Sequence, residues 1–297
     1  MYDFKDFISN AKERLEAKYP ELEITVKDMV KNNDVILKAF QISNADNNVS
    51  PTIYLDSFYS RYKAGEDMDS VLNLLSQSYE TSLNNVDIDE SKINDVSNYF
   101  IKVVNKDANR RYLENTPYME YEDLALTLRC LVVKENKDIA SAKVSNALLD
   151  NIGLEKEEVF RIAKENTIRL FPPVTYKMSD IINQSFSVDY NTPDLGMYVL
   201  SNDCGVNGAT VMIYDDYIND FIKEHGECYM IPSSIHEVIM IPKKEFDGDA
   251  AILKMFVSEV NKTAVQKVDF LSDNIYIANE NGISLVEGLE KEDYMEM

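Results

Sequence analysis

The apolar residues of this chain change their period again and again, and that switching constrains the fold more than any other feature. Phe4, Phe7, Ile8, Ala11 and Leu15 recur at three- and four-residue spacing, so the chain opens with an amphipathic helix to about Lys18, ended by Pro20. Leu22–Val26 then alternates with period two, Val35–Phe40 follows, and Asn32-Asn33-Asp34 between them marks an antiparallel hairpin. Thr52–Leu55 adds a third strand after the breaker Ser50-Pro51, and helices follow through Phe58–Tyr62 and from Met68 to about Leu83. Ile93, Val96 and Phe100 start a new helical pattern. Ile101–Val104 reads as a short strand, Ala108–Leu113 as a helix stopped by Pro117, and the apolar run Leu124–Val133 as a central strand.

From about Ala140 to Phe171 the pattern is helical, broken at Gly153 and closed by Pro172-Pro173, and Asp180–Gln184 reads as one more helical turn. Strands then return. Met197–Leu200 and Ala209–Tyr214 flank Asn207-Gly208, which signals a hairpin; Tyr217–Glu224 is a helix stopped by Gly226. Cys228–Ile231 and Glu237–Ile241 are strands around the turn Pro232-Ser233-Ser234. Ala250–Val260 is a helix, and Asn274–Ile277 with Ile283–Val286 forms a last hairpin over Asn281-Gly282. The expected class is α+β, with mixed or antiparallel sheets and flanking helices. Residues 1–137 form one expected subdomain and 186–297 another, joined by a helical connecting segment at 138–185.

Charge narrows the partners. With 52 Asp+Glu against 30 Lys+Arg, the chain of 297 residues carries a formal net charge of −22. No basic run exceeds two residues (Arg110-Arg111, Lys243-Lys244), so nucleic-acid recognition by a basic patch is not expected, while a basic protein partner is allowed. Mimicry of nucleic acid would need the carboxylates gathered on one face. The three cysteines, Cys130, Cys204 and Cys228, form no Cys-x-x-Cys pair, and Cys130 sits in an apolar run as a small hydrophobe. No apolar stretch approaches the roughly 20 residues of a membrane helix, and the first residues lack the pattern of a signal peptide. A reducing, cytoplasmic setting is expected.

The motifs that carry chemistry are scarce. His225 and His236 are the only histidines, and Met240 stands where a zincin needs its second His after His236-Glu237. Asp87-x-Asp89-x-Ser91 starts like a calcium loop, but Lys92 replaces the obligatory Gly and Asn98 the closing Glu. Gly205-Val206-Asn207-Gly208 lacks the spacing of a phosphate loop. No metal and no cofactor is therefore expected. The acidic pairs Asp87/Asp89, Asp215/Asp216 and Asp247/Asp249 carry little information among so many carboxylates. In Ser233-Ser234-Ile235-His236-Glu237, an extended backbone puts Ser234 and His236 on one face about 7 Å apart, beyond direct proton transfer. The hydroxyls suit turn capping and His236 a strand-end hydrogen bond; as catalytic candidates, Ser233, Ser234, His236 and Glu237 would need partners from elsewhere. Tyr54, Phe58, Tyr59 and Tyr62 fit either core packing or a Tyr-rich contact patch.

Five strings occur in order: Asn48–Leu55, Asn166-Thr167 with Leu170–Pro173, Met197–Asn202, Tyr229–Val238 and Leu271-Ser272-Asp273. Together they resemble a bacterial family, common in anaerobic gut Firmicutes, catalogued as domain of unknown function 5688. The resemblance covers essentially the whole chain, and Pro232–Val238 is its most specific part. The stretch Asn146–Asn166, with the Ile-Pro-Ser turn, is similar to a second uncharacterised Firmicutes family. The first resemblance implies a bacterial cytoplasmic protein whose relatives travel with mobile genetic elements. It supplies no activity and no catalytic residue. The reading that follows is a non-catalytic accessory protein that binds another protein through Pro232–Glu237 and Asn48–Tyr54, with Asn48, Ser50, Tyr54, Ser234 and His236 as contact residues. A hydrolase with dispersed residues around His236 is the rival.

Overall fold

The computed structural model describes residues 1–44, 51–84, 90–135, 138–185, 193–246 and 248–288. The chain divides into two compact units, Met1–Ile88 and Asp89–Met297.

In the first unit, helix α1 (Phe4–Lys18) starts at Asp3, whose carboxylate accepts the Asp6 N–H. Strands β1 (Leu22–Val30), β2 (Ile36–Asn44) and β3 (Thr52–Tyr54) form an antiparallel sheet in that order. Asn33 and Asp34 make the hairpin turn with positive φ, as their short polar side chains permit. Helices α2 (Asp56–Lys63) and α3 (Met68–Asn84) follow. Phe7, Ala11 and Leu15 of α1, Ile24 and Phe40 of the sheet, and Val71 and Leu75 of α3 share one core. Tyr59 and Tyr62 lay their rings against Phe7, 5.3 and 5.6 Å between centroids, so they belong to that core.

The second unit holds two antiparallel sheets. The four-stranded one contains β4 (Tyr99–Asn105), β5 (Tyr118–Tyr121), β6 (Leu124–Glu135) and β7 (Asp138–Lys143). Between β4 and β5 lies the one-turn helix α4 (Arg110–Leu113). Long β6 is the spine: β4 pairs along one side, and β5 and then β7 along the other. Helices α5 (Asn146–Ile152) and α6 (Lys156–Leu170) follow, separated by Gly153 at φ 74°. Then come β8 (Pro173–Lys177), α7 (Met178–Ser185), β9 (Tyr198–Asn202), α8 (Asp215–His225), β10 (Cys228–Ile231) and β11 (Val238–Pro242). Helix α9 (Ala250–Ala264), β12 (Tyr276–Asn279) and β13 (Gly282–Leu285) complete it. The six-stranded sheet runs β13-β12-β10-β11-β9-β8.

Strand alternation sorts the cores of this unit. Cys228, Met230, Val238 and Met240 point to the main core, shared with Leu124 and Leu128 of β6, Phe160 of α6 and Phe221 of α8. Ile231 and Ile241, on the opposite face, pack under Leu253 and Val257 of α9.

Two expectations need correction. Residues 140–143 are strand, because they complete the free side of β6 beyond β5. Ala209–Tyr214 is not the second arm of a hairpin: Gly208–Ile213 is a 3-10 helix, all of it buried, and the neighbours of β9 are β8 and β11. The division between compact units falls at Ile88/Asp89, and one core spans β4, β6, α6 and the C-terminal strands.

Candidate functional site

The most specific string, Pro232–Val238, folds against Leu271-Ser272-Asp273. Ser234 bridges to Phe270; the Ile235 N–H donates to Asp269 O (2.8 Å), the Leu271 N–H to Ser233 O (3.0 Å) and the Ser272 N–H to Pro232 O (2.9 Å). These three backbone hydrogen bonds close a short ladder between residues far apart in sequence. Ser234, only 6% exposed, accepts the His236 N–H at its Oγ (2.9 Å), while Ser201 Oγ of β9 donates to His236 O (2.7 Å). The Ser234 hydroxyl is therefore a turn cap, as an ST turn requires.

His236 Nε2 lies 3.3 Å from Asp269 Oδ1, and its Nδ1 is buried without a hydrogen-bond partner. The pair orients the ring, which is one half of a general-base arrangement. The ring nitrogen that does not face Asp269 is the one shut away from solvent. Among the described residues no hydroxyl bonds the ring, and Ser234 Oγ accepts from backbone. Ser233 and Glu237 are half-buried beside the turn. A cleft of about 650 Å³ opens between α8 and the β12–β13 turn, lined by Asp216, Asp220, Lys223, Glu227, Asn279 and Asn281, and no residue of the string lines it.

Tyr54 lies in the first unit, under Lys31, whose Nζ sits 3.7 Å from the ring centroid. Asn48 and Ser50 lie outside the described residues, as do Asp87, Asp89 and Asp247. Asp215 pairs with Lys164 (2.7 Å), and Asp249 caps α9 by accepting the Ala251 N–H (2.9 Å). Among the described residues no cluster of His, Cys, Asp and Glu could hold a metal ion, and no helix is long and apolar enough to cross a membrane.

Two features carry no local sequence signal. Asp123, in the tight β5–β6 turn, accepts from Ser272 Oγ (2.7 Å), Asn274 Nδ2 (2.9 Å) and the Tyr276 hydroxyl, which burial and the adjacent carboxylate hold strongly protonated. Asn261, buried on α9, donates to Ser272 O (3.0 Å) and Asp273 Oδ1 (2.8 Å). The family strings thus form a mount: Pro232–His236 holds residues 269–273, and these hold α9.

What the mount presents is the outer face of α9. Ile252 is 51% exposed, Met255 63%, Phe256 66% and Val260 53%, at spacings of three, one and four residues. Leu253 and Val257 already fill the sheet-facing side, so the helix is apolar on two sides. The exposed side chains present on the order of 400 Å² of apolar surface, within the range of the largest patch on an ordinary monomer.

Elsewhere the matching strings also serve architecture. Asn166 Nδ2 donates to Val96 O and Tyr99 O, and Thr167 Oγ1 accepts the Ile101 N–H (2.8 Å), so α6 covers the free edge of β4. No curated protein and no solved structure matches the chain. From residue 4 to 279 the sequence fits the profile of a family of unknown function, DUF5688, and the chain belongs to that family.

Proposed function

We propose that this chain is a non-catalytic binding protein that docks an amphipathic helix of another protein on the outer face of α9. The observation that carries this reading is the exposed row Ile252, Met255, Phe256 and Val260 on a helix whose opposite side is fully used in packing. An apolar helix face of this spacing suits a second helix laid along it. The whole-chain charge of −22 selects the partner: a basic rim around the docking helix is attracted, whereas a second copy of this chain is repelled. The turn at Pro232–Glu237 then acts as the support of the contact surface rather than as the surface itself.

The test pairs affinity purification with reconstitution from pure components, using the wild type, Phe256→Glu and His236→Ala. Expected is a stoichiometric basic partner that binds wild type and His236→Ala alike, binds Phe256→Glu at least about 100-fold more weakly, and loosens as salt rises. A partner indifferent to Phe256→Glu overturns the α9 reading. Light scattering on the pure protein checks the second copy as occupant. The hydrolase rival has the His236–Asp269 pair in its favour, and its signature would be an activity lost in His236→Ala at unchanged Tm.

A further inference from the structure

The four-stranded sheet sets two cations opposite each other on neighbouring strands. Arg129 of β6 stands directly opposite Lys143 of β7 in the antiparallel register. Like charges in that position repel and weaken the pairing. The neighbours of Arg129 along β6, Leu128 and Cys130, point into the main core, so Arg129 and Lys143 project from the other face.

In a chain with 52 carboxylates for 30 Lys and Arg, a close cationic pair would be expected to have a carboxylate beside it. Among the described residues neither cation has one. Arg129 is held by Ser141, with Nε to Oγ at 3.2 Å and Nη2 to Oγ and O at 3.0 and 2.5 Å, which leaves Nη1 free to donate. Lys143 Nζ donates to Tyr112 O (3.1 Å) and lies 4.4 Å from the Tyr112 ring, with its remaining N–H bonds unused among the described residues. Burial first, and the Arg129 charge second, lower the pKa of the Lys143 ammonium, with no carboxylate acting against them. Lys156 lies 5.7 Å from the ring of Tyr118, which packs on the same small apolar patch as Tyr112.

We infer that Arg129 and Lys143 together bind a phosphate-type oxyanion on the outer face of this sheet. A guanidinium and an ammonium held on neighbouring strands, each with an N–H bond unused among the described residues, suit the tetrahedral oxygens of phosphate, and an anion placed between them turns the repulsion into two charge-assisted hydrogen bonds. The site is distinct from α9 and does not depend on the docking proposed there.

The experiment is thermal unfolding of the full chain in inorganic phosphate, against sodium chloride at equal ionic strength. The variants are Lys143→Met, Arg129→Met and, as a charge-matched control, Lys164→Met. Expected is a phosphate-specific rise in Tm of about 3 °C for the wild type and Lys164→Met, absent in Lys143→Met and Arg129→Met. Lys143→Met keeps the stem over Tyr112, so it reports on binding even if Arg129→Met, which loses the Ser141 bonds, folds poorly. A wild type that responds equally to phosphate and chloride overturns the proposal. So does a phosphate shift that survives in Lys143→Met, or one that Lys164→Met also loses.

Discussion

Gly208 stands where a side chain has no room. A Cβ there would lie 2.0 Å from Ser201 Oγ and 2.2 Å from His236 O, the two atoms whose hydrogen bond ties β9 to the Pro232–Val238 string. Gly208→Ala must break that contact or move the backbone, and an expected loss of about 3 kcal/mol or more should show in urea unfolding. Thr167→Val is milder: it removes the acceptor of the Ile101 N–H and leaves a buried donor unmet, at a cost of about 1–3 kcal/mol. The thiols give a pH prediction. Burial holds Cys130 up at about 11 and Cys228 at about 12. Both are thus protonated and slow toward Ellman's reagent at pH 8 until the chain unfolds. Because the folded state keeps these protons longer than the unfolded one, stability is intact below about pH 9 and falls as pH rises beyond it, which denaturation at stepped alkaline pH would measure. At this scale the sequence reading reached the capping role of Ser234 and the buried character of Cys130. It could not reach Asp123, Asn261 or Gly208, whose meaning lies in atoms brought in from distant segments.

Elements were legible where one face of a periodic segment meets one core. Helix α1, the β1–β2 and β12–β13 hairpins and the central strand β6 all follow from spacing and turn residues. Gly208–Ile213 misled because it is buried all round, so its run of apolar residues carries no period; the 3-10 path is set by the close approach at Gly208. Residues 140–143 look helical by continuation from α5, yet the open side of β6 recruits them. Helix α9 was placed by its pattern, but its surplus of apolar residues went unread: Phe256 and Val260 exceed what one buried face needs. Polar replacement on that outer face should leave the fold alone, and Ile252→Lys is expected to change stability by no more than about 0.5 kcal/mol in the same urea titration. A larger loss would mean that the row is covered by this chain itself.

At the scale of the whole molecule, the α+β class was readable from the switching period. A boundary depends on which segments share a core, and here strands on either side of residue 137 do. The Asp123 cluster shows how far that sharing reaches: its partners lie 149 to 153 residues further along the chain. During synthesis at about 5–20 residues per second, β6 therefore leaves the ribosome on the order of ten seconds before Tyr276 exists to close over it. Met1–Ile88, whose internal contacts are made early, has no such wait for them. The second unit spends that interval with an unsealed core and a carboxylate lacking its donors, so its apolar surface is open longest while the chain is still being made.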